Sequence, residues 1–186
     1  MEIKGTSVKS THNFVKKVYP NQEQLWIDSL PQSSKMLVSN PVMATQWYPI
    51  MDGMIILVEK IAELFFEGDV EKAAFEIGKF SAIEGLNGVY KIFVKMASPI
   101  FVLKRSPKIF NTYYSEVNFE IVEAETKKAV FKITGFKPEH VQIFSRIAGW
   151  IEETLRIIGS KPISVKHSFE QEDVDFIIGK VLAEWE

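Results

Sequence analysis

The chain has 186 residues, 46% of them hydrophobic and 25% charged, with a net charge of −2 at pH 7. These values are ordinary for a globular protein and argue against a disordered or membrane-embedded chain. They also provide no excess of lysine and arginine that would favour nucleic acid as a partner. Because the sequence contains no cysteine, it can form neither disulfides nor thiolate-ligated metal sites.

No signal peptide or membrane span is evident from the sequence. The N-terminal segment lacks an apolar core, and the most apolar window, "IMDGMIILVEKIAELFF", is interrupted by four charged residues. We therefore expect a cytoplasmic protein without membrane insertion. The length fits one domain, residues 1–186, with a substantial core.

The first half of the chain has the features of helices. Two short amphipathic pieces, "THNFVKKVY" and "NQEQLWIDSL", are closed by Pro20 and Pro31. Pro49 is placed in the first turn of a helix that runs to Gly68, which we expect to act as a left-handed C-terminal cap. Asp69 is then suited to cap the next helix, because its carboxylate can accept a backbone N–H bond.

That next helix, predicted to run to about Met96, contains Gly78, Gly85 and Gly88. Each interior glycine costs a helix about 1 kcal/mol relative to alanine, so a bare backbone here needs a reason. The preferred explanation is a smooth face that lets another helix or the sheet approach closely. The alternative is that the missing side chains open space for a small apolar ligand.

The second half of the chain alternates strands with one long helix. After two short Ser-Pro helical turns at Ser98 and Ser106, "SEVNFEIVEAETKKAVFKITGF" alternates as an antiparallel hairpin that turns at about residues 125–128. A long amphipathic helix follows Pro138 and is capped by Gly159, and two more strands complete the chain. The sequence therefore predicts an α+β fold, with an N-terminal helical half followed by a β-β-α-β-β antiparallel sheet with helices packed on it.

The sequence contains no recognisable catalytic motif. It has no nucleophile elbow, no Walker loop and no His-Glu-x-x-His, so we do not expect an enzyme. The three histidines, His12, His140 and His167, fall in separate elements without metal-binding spacing, and no metal site is predicted. His167 lies on the apolar alternation of its strand, either as a core histidine with a hydrogen-bonding neighbour or as a ligand contact.

Short motifs along the whole chain resemble a known group of proteins. In order they are "WYP", "GKFSA", "GVYKIF", "SP", "YY", "GF" and a last strand that ends at Trp185. Together they resemble a myxobacterial-type family similar to the 4-vinyl reductase domain. That domain shares its fold with heme-nitric-oxide-binding domains and with subunits of the vesicle-tethering complex.

The resemblance implies a small-molecule sensing or interaction fold that is commonly dimeric and often encloses an apolar cavity. Heme-nitric-oxide-binding domains use a helix histidine and a Tyr-x-Ser-x-Arg motif. This chain has Tyr113 and Ser115 but Val117 in place of the arginine, and its central helices contain no histidine. We therefore expect no cofactor, and heme in particular is not expected.

The leading hypothesis from the sequence is a non-enzymatic sensory or regulatory domain, forming a homodimer, that binds a small apolar ligand beside the central helix. Aromatic residues and a histidine would orient the ligand because each pairs an apolar body with one polar group. The orienting candidates are Trp47, Tyr48, Tyr90 and His167, and Gly78 and Gly85 are further pocket candidates. The alternative hypothesis is a ligand-free protein-protein interaction module, whose apolar helix faces form a homodimer or a scaffold.

Overall fold

The computed structural model describes residues 1–86 and 98–186, and the predicted α+β fold is confirmed. The first half is mostly helical. Its elements are β1 (Glu2–Lys4), α1 (Gly5–Val18), a 3-10 turn (Pro20–Gln22), α2 (Glu23–Ser29), α3 (Gln32–Ser39), β2 (Trp47–Pro49), a π-helical turn (Met51–Ile55), α4 (Ile56–Phe65) and α5 (Val70–Leu86).

The second half provides the main sheet and the long helix that covers it. Its elements are α6 (Pro99–Leu103), α7 (Ser106–Phe110), β3 (Asn118–Glu125), β4 (Lys128–Phe136), a 3-10 turn (Pro138–His140), α8 (Gln142–Ile157), β5 (Pro162–Gln171) and β6 (Ile177–Trp185). The predicted hairpin, long helix and two final strands are all present.

The four strands of this sheet are antiparallel, in the order β3-β4-β6-β5. One row of paired residues crosses the sheet from Ile121 through Phe131 and Val181 to His167. Because paired residues share a face of a sheet, and Phe131 and Val181 are fully buried, this row belongs to the face that α8 covers. The apolar alternation of β5 therefore turns His167 toward the helices.

A second, smaller sheet ties the N-terminus to the middle of the chain, and the sequence did not predict it. β1 pairs antiparallel with β2, with Ile3 opposite Tyr48, and Ile3 also forms a bridge with Tyr114. Strands of three residues carry too little alternation to be recognised from sequence. Their pairing places the start of α1 beside the segment that leads into the main sheet.

The helix ends predicted from the capping residues Asp69, Gly68 and Gly159 are found in the structure. The Asp69 carboxylate accepts a hydrogen bond from the backbone N–H of Lys72 at 2.9 Å, capping α5. Gly68 closes α4 with φ +84°, and Gly159 follows α8 with φ +86°. The Ser98 side chain forms no capping bond among the described residues, and the Ser106 hydroxyl donates instead to the carbonyl oxygen of Leu103 at 2.8 Å.

The two longest helices, α5 and α8, cross with their backbones in contact. A Cβ on Gly78 would overlap the carbonyl oxygen of Arg146, and a Cβ on Gly149 would overlap the carbonyl oxygen of Phe75. Two glycines on facing helices thus remove the side chains that would hold the helices apart, and dispersion contacts replace them. The close approach predicted for the glycine face is found at Gly78.

No helix in the described ranges is long and apolar enough to cross a membrane.

Candidate functional site

A cavity of about 250 Å³ lies between α1, α5, α7 and α8, with residue 44 of the loop before β2 at its rim. At about 30 Å³ per water molecule, this volume corresponds to roughly eight waters. It is somewhat smaller than a typical drug-sized ligand site of about 300–1,000 Å³. The cavity is therefore sized for a small molecule.

Gly85 lies on the wall that α5 contributes to this cavity. A Cβ built there meets no heavy atom of a described residue within 4 Å, in contrast to the overlap at Gly78 seven residues earlier. The two explanations offered for the glycines thus apply to different positions, since Gly78 permits close helix packing and Gly85 borders open space. Gly88 lies outside the described residues.

One side of the cavity is polar. Ser7 and Ser10 of α1 and Ser81 of α5 line it, and the Ser10 hydroxyl donates to Ser81 Oγ at 2.9 Å. The Ser81 hydroxyl in turn donates to the carbonyl oxygen of Ile77 at 2.8 Å. These two bonds fix the directions of the Ser10 and Ser81 hydroxyl protons.

Another part of the cavity lining is aromatic. Phe110 of α7 and Trp150 of α8 contact each other edge to face, with ring centroids 5.0 Å apart, and Tyr113 and Tyr114 continue this wall. Burial raises the pKa of the Tyr114 hydroxyl to about 12, so it is a neutral phenol at physiological pH. Aromatic faces of this kind hold flat apolar groups.

Arg146 of α8 lies on the cavity wall and is only 4% exposed. Its Nη1 donates to Thr11 Oγ1 at 2.7 Å, and its Nη2 donates to Ser7 Oγ at 3.2 Å and to Ser81 Oγ at 3.1 Å. Weaker contacts reach the sulfur of Met54 and the carbonyl oxygen of Ser7. Every one of these acceptors is electrically neutral.

Within residues 1–86 and 98–186, no carboxylate forms an ion pair with this guanidinium. Burial lowers the pKa of Arg146, but an arginine side chain keeps its charge in proteins. A buried charge without a counter-charge carries a desolvation penalty on the order of several kcal/mol, which neutral hydrogen bonds offset only in part. A buried Arg146 therefore costs the folded state stability, so its presence in the cavity wall calls for an explanation other than stability.

The charged residues at the cavity rim do not neutralise the Arg146 guanidinium. Glu84 accepts hydrogen bonds from Lys17 at 2.7 Å and from Asn13 at 3.2 Å, so its negative charge is already paired. Lys9, which is exposed at the rim, forms no ion pair with a described residue. The cavity therefore has an excess of positive charge.

The residues chosen from sequence are distributed over three regions. Gly85 lines the cavity, whereas Trp47 and Tyr48 lie on β2, where Lys4 stacks on the Trp47 ring and the backbone N–H of Met43 donates to the Tyr48 hydroxyl at 2.8 Å. Tyr90 lies outside the described residues.

His167 lines a separate, shallow groove between the start of α5 and β5, next to Phe75. Its Nδ1 is buried and has no hydrogen-bond partner in the described part of the chain. Neither His167 nor Gly78 faces the 250 Å³ cavity among its described lining residues.

The sequence analysis did not select Arg146, although a signal was present. At 100° per residue Arg146 lies at the edge of the apolar stripe of α8, next to Trp150 and Ile157. A charged residue on the apolar arc of a helix that covers a sheet is a candidate for burial, and a buried arginine needs a partner.

Known structures share this fold. A variant of Tt H-NOX matches with a TM-score of 0.73 and 14% identity, over 99% of this chain and 95% of that chain. An oxygen-binding H-NOX domain related to soluble guanylate cyclases matches with a TM-score of 0.70 and 12% identity, over the same shares. A structure from a study of heme distortion in the H-NOX family gives 0.71 and 13%, again over 99% and 95%.

The predicted fold relationship to heme-nitric-oxide-binding domains is thus confirmed. At these identities the similarity establishes the fold alone. No protein-family model and no curated protein matches the sequence. The more specific resemblance to the 4-vinyl reductase domain and to a myxobacterial-type family stays a prediction.

The expectation of no cofactor, and of no heme in particular, was wrong, because structures with this fold include heme-binding H-NOX domains. His12 pairs with Glu23 at 2.7 Å, His140 accepts from the backbone N–H of Lys137, and neither they nor His167 line the cavity. No cluster of three metal-binding side chains occurs in the described ranges. The described cavity residues do not fit a histidine-ligated heme.

Proposed function

We propose that this chain is a sensory ligand-binding domain that holds a small molecule in the cavity between α1, α5, α7 and α8. The observation that carries the proposal is the cavity itself, which combines a mostly apolar aromatic wall with a few convergent polar groups. This combination is typical of small-molecule sites, since the apolar wall contributes affinity and the polar groups fix the orientation. The H-NOX neighbours support a sensory role, because one of them is described as an oxygen-binding domain.

The proposed role is non-enzymatic. In the described part of the cavity wall, no serine hydroxyl is hydrogen-bonded to a histidine or a carboxylate that could act as its base. Glu84, the carboxylate there, is held by Lys17 and Asn13. Ligand binding is the activity that this arrangement supports. A relationship to the 4-vinyl reductase domain is compatible with it, and the homodimer and the cytoplasmic location stay predictions.

The proposal is tested by filling the cavity from Gly85. Because a Cβ at this position meets no neighbour among the described atoms, Gly85→Leu places a side chain into the space without disturbing the α5–α8 contact. The matched control is Ile83→Leu, on the same helix but 41% exposed and away from the cavity wall. Saturation-transfer NMR with benzoate and benzamide as probes measures binding to each protein.

We expect at least one probe to bind the wild-type chain and the Ile83→Leu variant, and binding to fall at least tenfold in Gly85→Leu. Thermal unfolding of each variant confirms that it is folded. If neither probe binds the wild-type chain, or if Gly85→Leu binds as well as its control, the cavity is not the binding site and the proposed function fails.

A further inference from the structure

We propose that the ligand of this cavity is an anion with a flat aromatic body, an aromatic carboxylate of about the size of benzoate, and that Arg146 is its counter-charge. This inference rests on the proposed function and adds the chemical class of the ligand. It follows from three features of the described cavity wall, namely its charge balance, the direction of its hydrogen bonds, and its shape.

The charge balance favours an anion. The Arg146 guanidinium is buried on the wall, and all its described hydrogen-bond acceptors are neutral. Glu84 is paired with Lys17 and leaves no charge for Arg146, while Lys9 adds a second positive charge at the rim. A neutral ligand would displace water from the cavity and leave the guanidinium further desolvated and still unpaired. A carboxylate would supply the missing charge, and its pairing with arginine is charge-assisted.

The hydrogen bonds on the wall also point to an acceptor ligand. Ser7 Oγ accepts from Arg146 Nη2, so the Ser7 hydroxyl proton must be directed elsewhere. None of the described residues provides an acceptor for that proton. The Ser81 hydroxyl, in contrast, already donates to Ile77. The Ser7 hydroxyl thus presents an O–H donor beside the Arg146 charge, which suits one oxygen of a carboxylate.

The shape selects the rest of the molecule. A volume of about 250 Å³ admits a single ring with a small substituent. Phe110 and Trp150, which lies one helical turn after Arg146 on α8, form an aromatic wall with their rings at 73° to each other. A planar ring packs against such a pair through edge-to-face and offset contacts. An inorganic anion alone would leave this aromatic wall without a partner.

The test uses isothermal titration of the full chain with three probes: benzoate, its neutral isostere benzamide, and inorganic phosphate. We expect benzoate to bind the wild-type chain at least tenfold more tightly than either of the other two. In Arg146→Met, which keeps a side chain of similar length without the charge, the preference for benzoate over benzamide disappears. Lys16→Met, on the same helix α1 but exposed and outside the described cavity lining, is the matched control for the loss of a positive surface charge, and it changes the preference by less than threefold.

A second variant keeps the test decisive if Arg146→Met does not fold, as judged by circular dichroism and thermal unfolding. Ser7→Ala removes one donor to the carboxylate, so benzoate binding falls several-fold, and it falls by more than benzamide binding because the bond to a charged oxygen is the stronger one. The inference is overturned if benzamide binds as tightly as benzoate, if phosphate does, or if neither variant alters the preference. These outcomes differ from failure of the proposed function, in which neither aromatic probe binds at all.

Discussion

The same substitution at two glycines of α5 is expected to have opposite effects on stability. Gly78→Ala places a methyl group where it overlaps the backbone carbonyl of Arg146, and a helix backbone cannot rotate away as a flexible side chain would. Overpacking of this kind costs about 1–3 kcal/mol, and a backbone obstacle places it near 3 kcal/mol. The higher helix propensity of alanine returns about 1 kcal/mol. The net effect is a loss of about 2 kcal/mol in the free energy of unfolding.

Gly85→Ala gains the higher helix propensity of alanine without the cost of overpacking. Because its Cβ meets no neighbour among the described atoms, the free energy of unfolding should rise by up to about 1 kcal/mol. The two variants should therefore differ by about 3 kcal/mol. At about 2–4 °C per kcal/mol for a chain of this size, their melting temperatures should differ by about 6–12 °C.

Thermal and urea unfolding, followed by circular dichroism, measure both quantities. The wild-type chain is the reference, and an unchanged dependence on urea concentration shows that the extent of unfolding is the same in each variant. If Gly78→Ala is as stable as the wild type, the helices do not meet at this glycine. If both variants lose stability equally, Gly85 does not border open space, and the cavity argument fails with it.

Three further predictions concern single groups. Asp69→Ala should lower the free energy of unfolding by about 1 kcal/mol because it removes the cap on α5, whereas Asp69→Asn should lose much less; equal losses would contradict the cap. The Tyr114 pKa of about 12 lies above its ordinary value of 10.0, so the folded state holds this proton more tightly, and stability is lost as pH rises from about 10 to 12. The loss is roughly 2–3 kcal/mol, and the difference between wild type and Tyr114→Phe in urea unfolding at pH 9 and pH 11 should reveal it. Burial lowers the pKa of His140, so its contribution is present above the ordinary value of 6.5 and is lost as pH falls below it; His140→Gln should flatten the decline in stability between pH 7 and pH 5, and an unchanged slope would refute this.

The parts of the fold that could be predicted from sequence are those set by local patterns. Strict alternation identified the hairpin of β3 and β4, and Asp69 and Gly68 marked helix ends because capping depends on one side chain and one backbone conformation. The pairing of β1 with β2 joins residues more than 40 positions apart. No local pattern encodes that contact, so the sequence could not supply it.

The candidate site was predicted only in part, for a related reason. Gly85 was chosen because a glycine inside a helix is locally anomalous, but the same anomaly at Gly78 has a packing cause that appears only when α8 is in place. Arg146 was overlooked because its significance lies in what surrounds it, namely Ser7, Thr11 and Ser81 from two other helices. Which groups converge on a cavity is a property of the tertiary structure.

A crystal structure of the chain grown with 4-bromobenzoate tests the central claim most directly, because the anomalous signal of bromine locates the probe independently of the protein atoms. The account predicts one strong bromine peak inside the cavity near Phe110 and Trp150, with the carboxylate toward Arg146 and the Ser7 hydroxyl. A cavity filled by side chains of the chain itself, or a bromine peak confined to other sites, would contradict it.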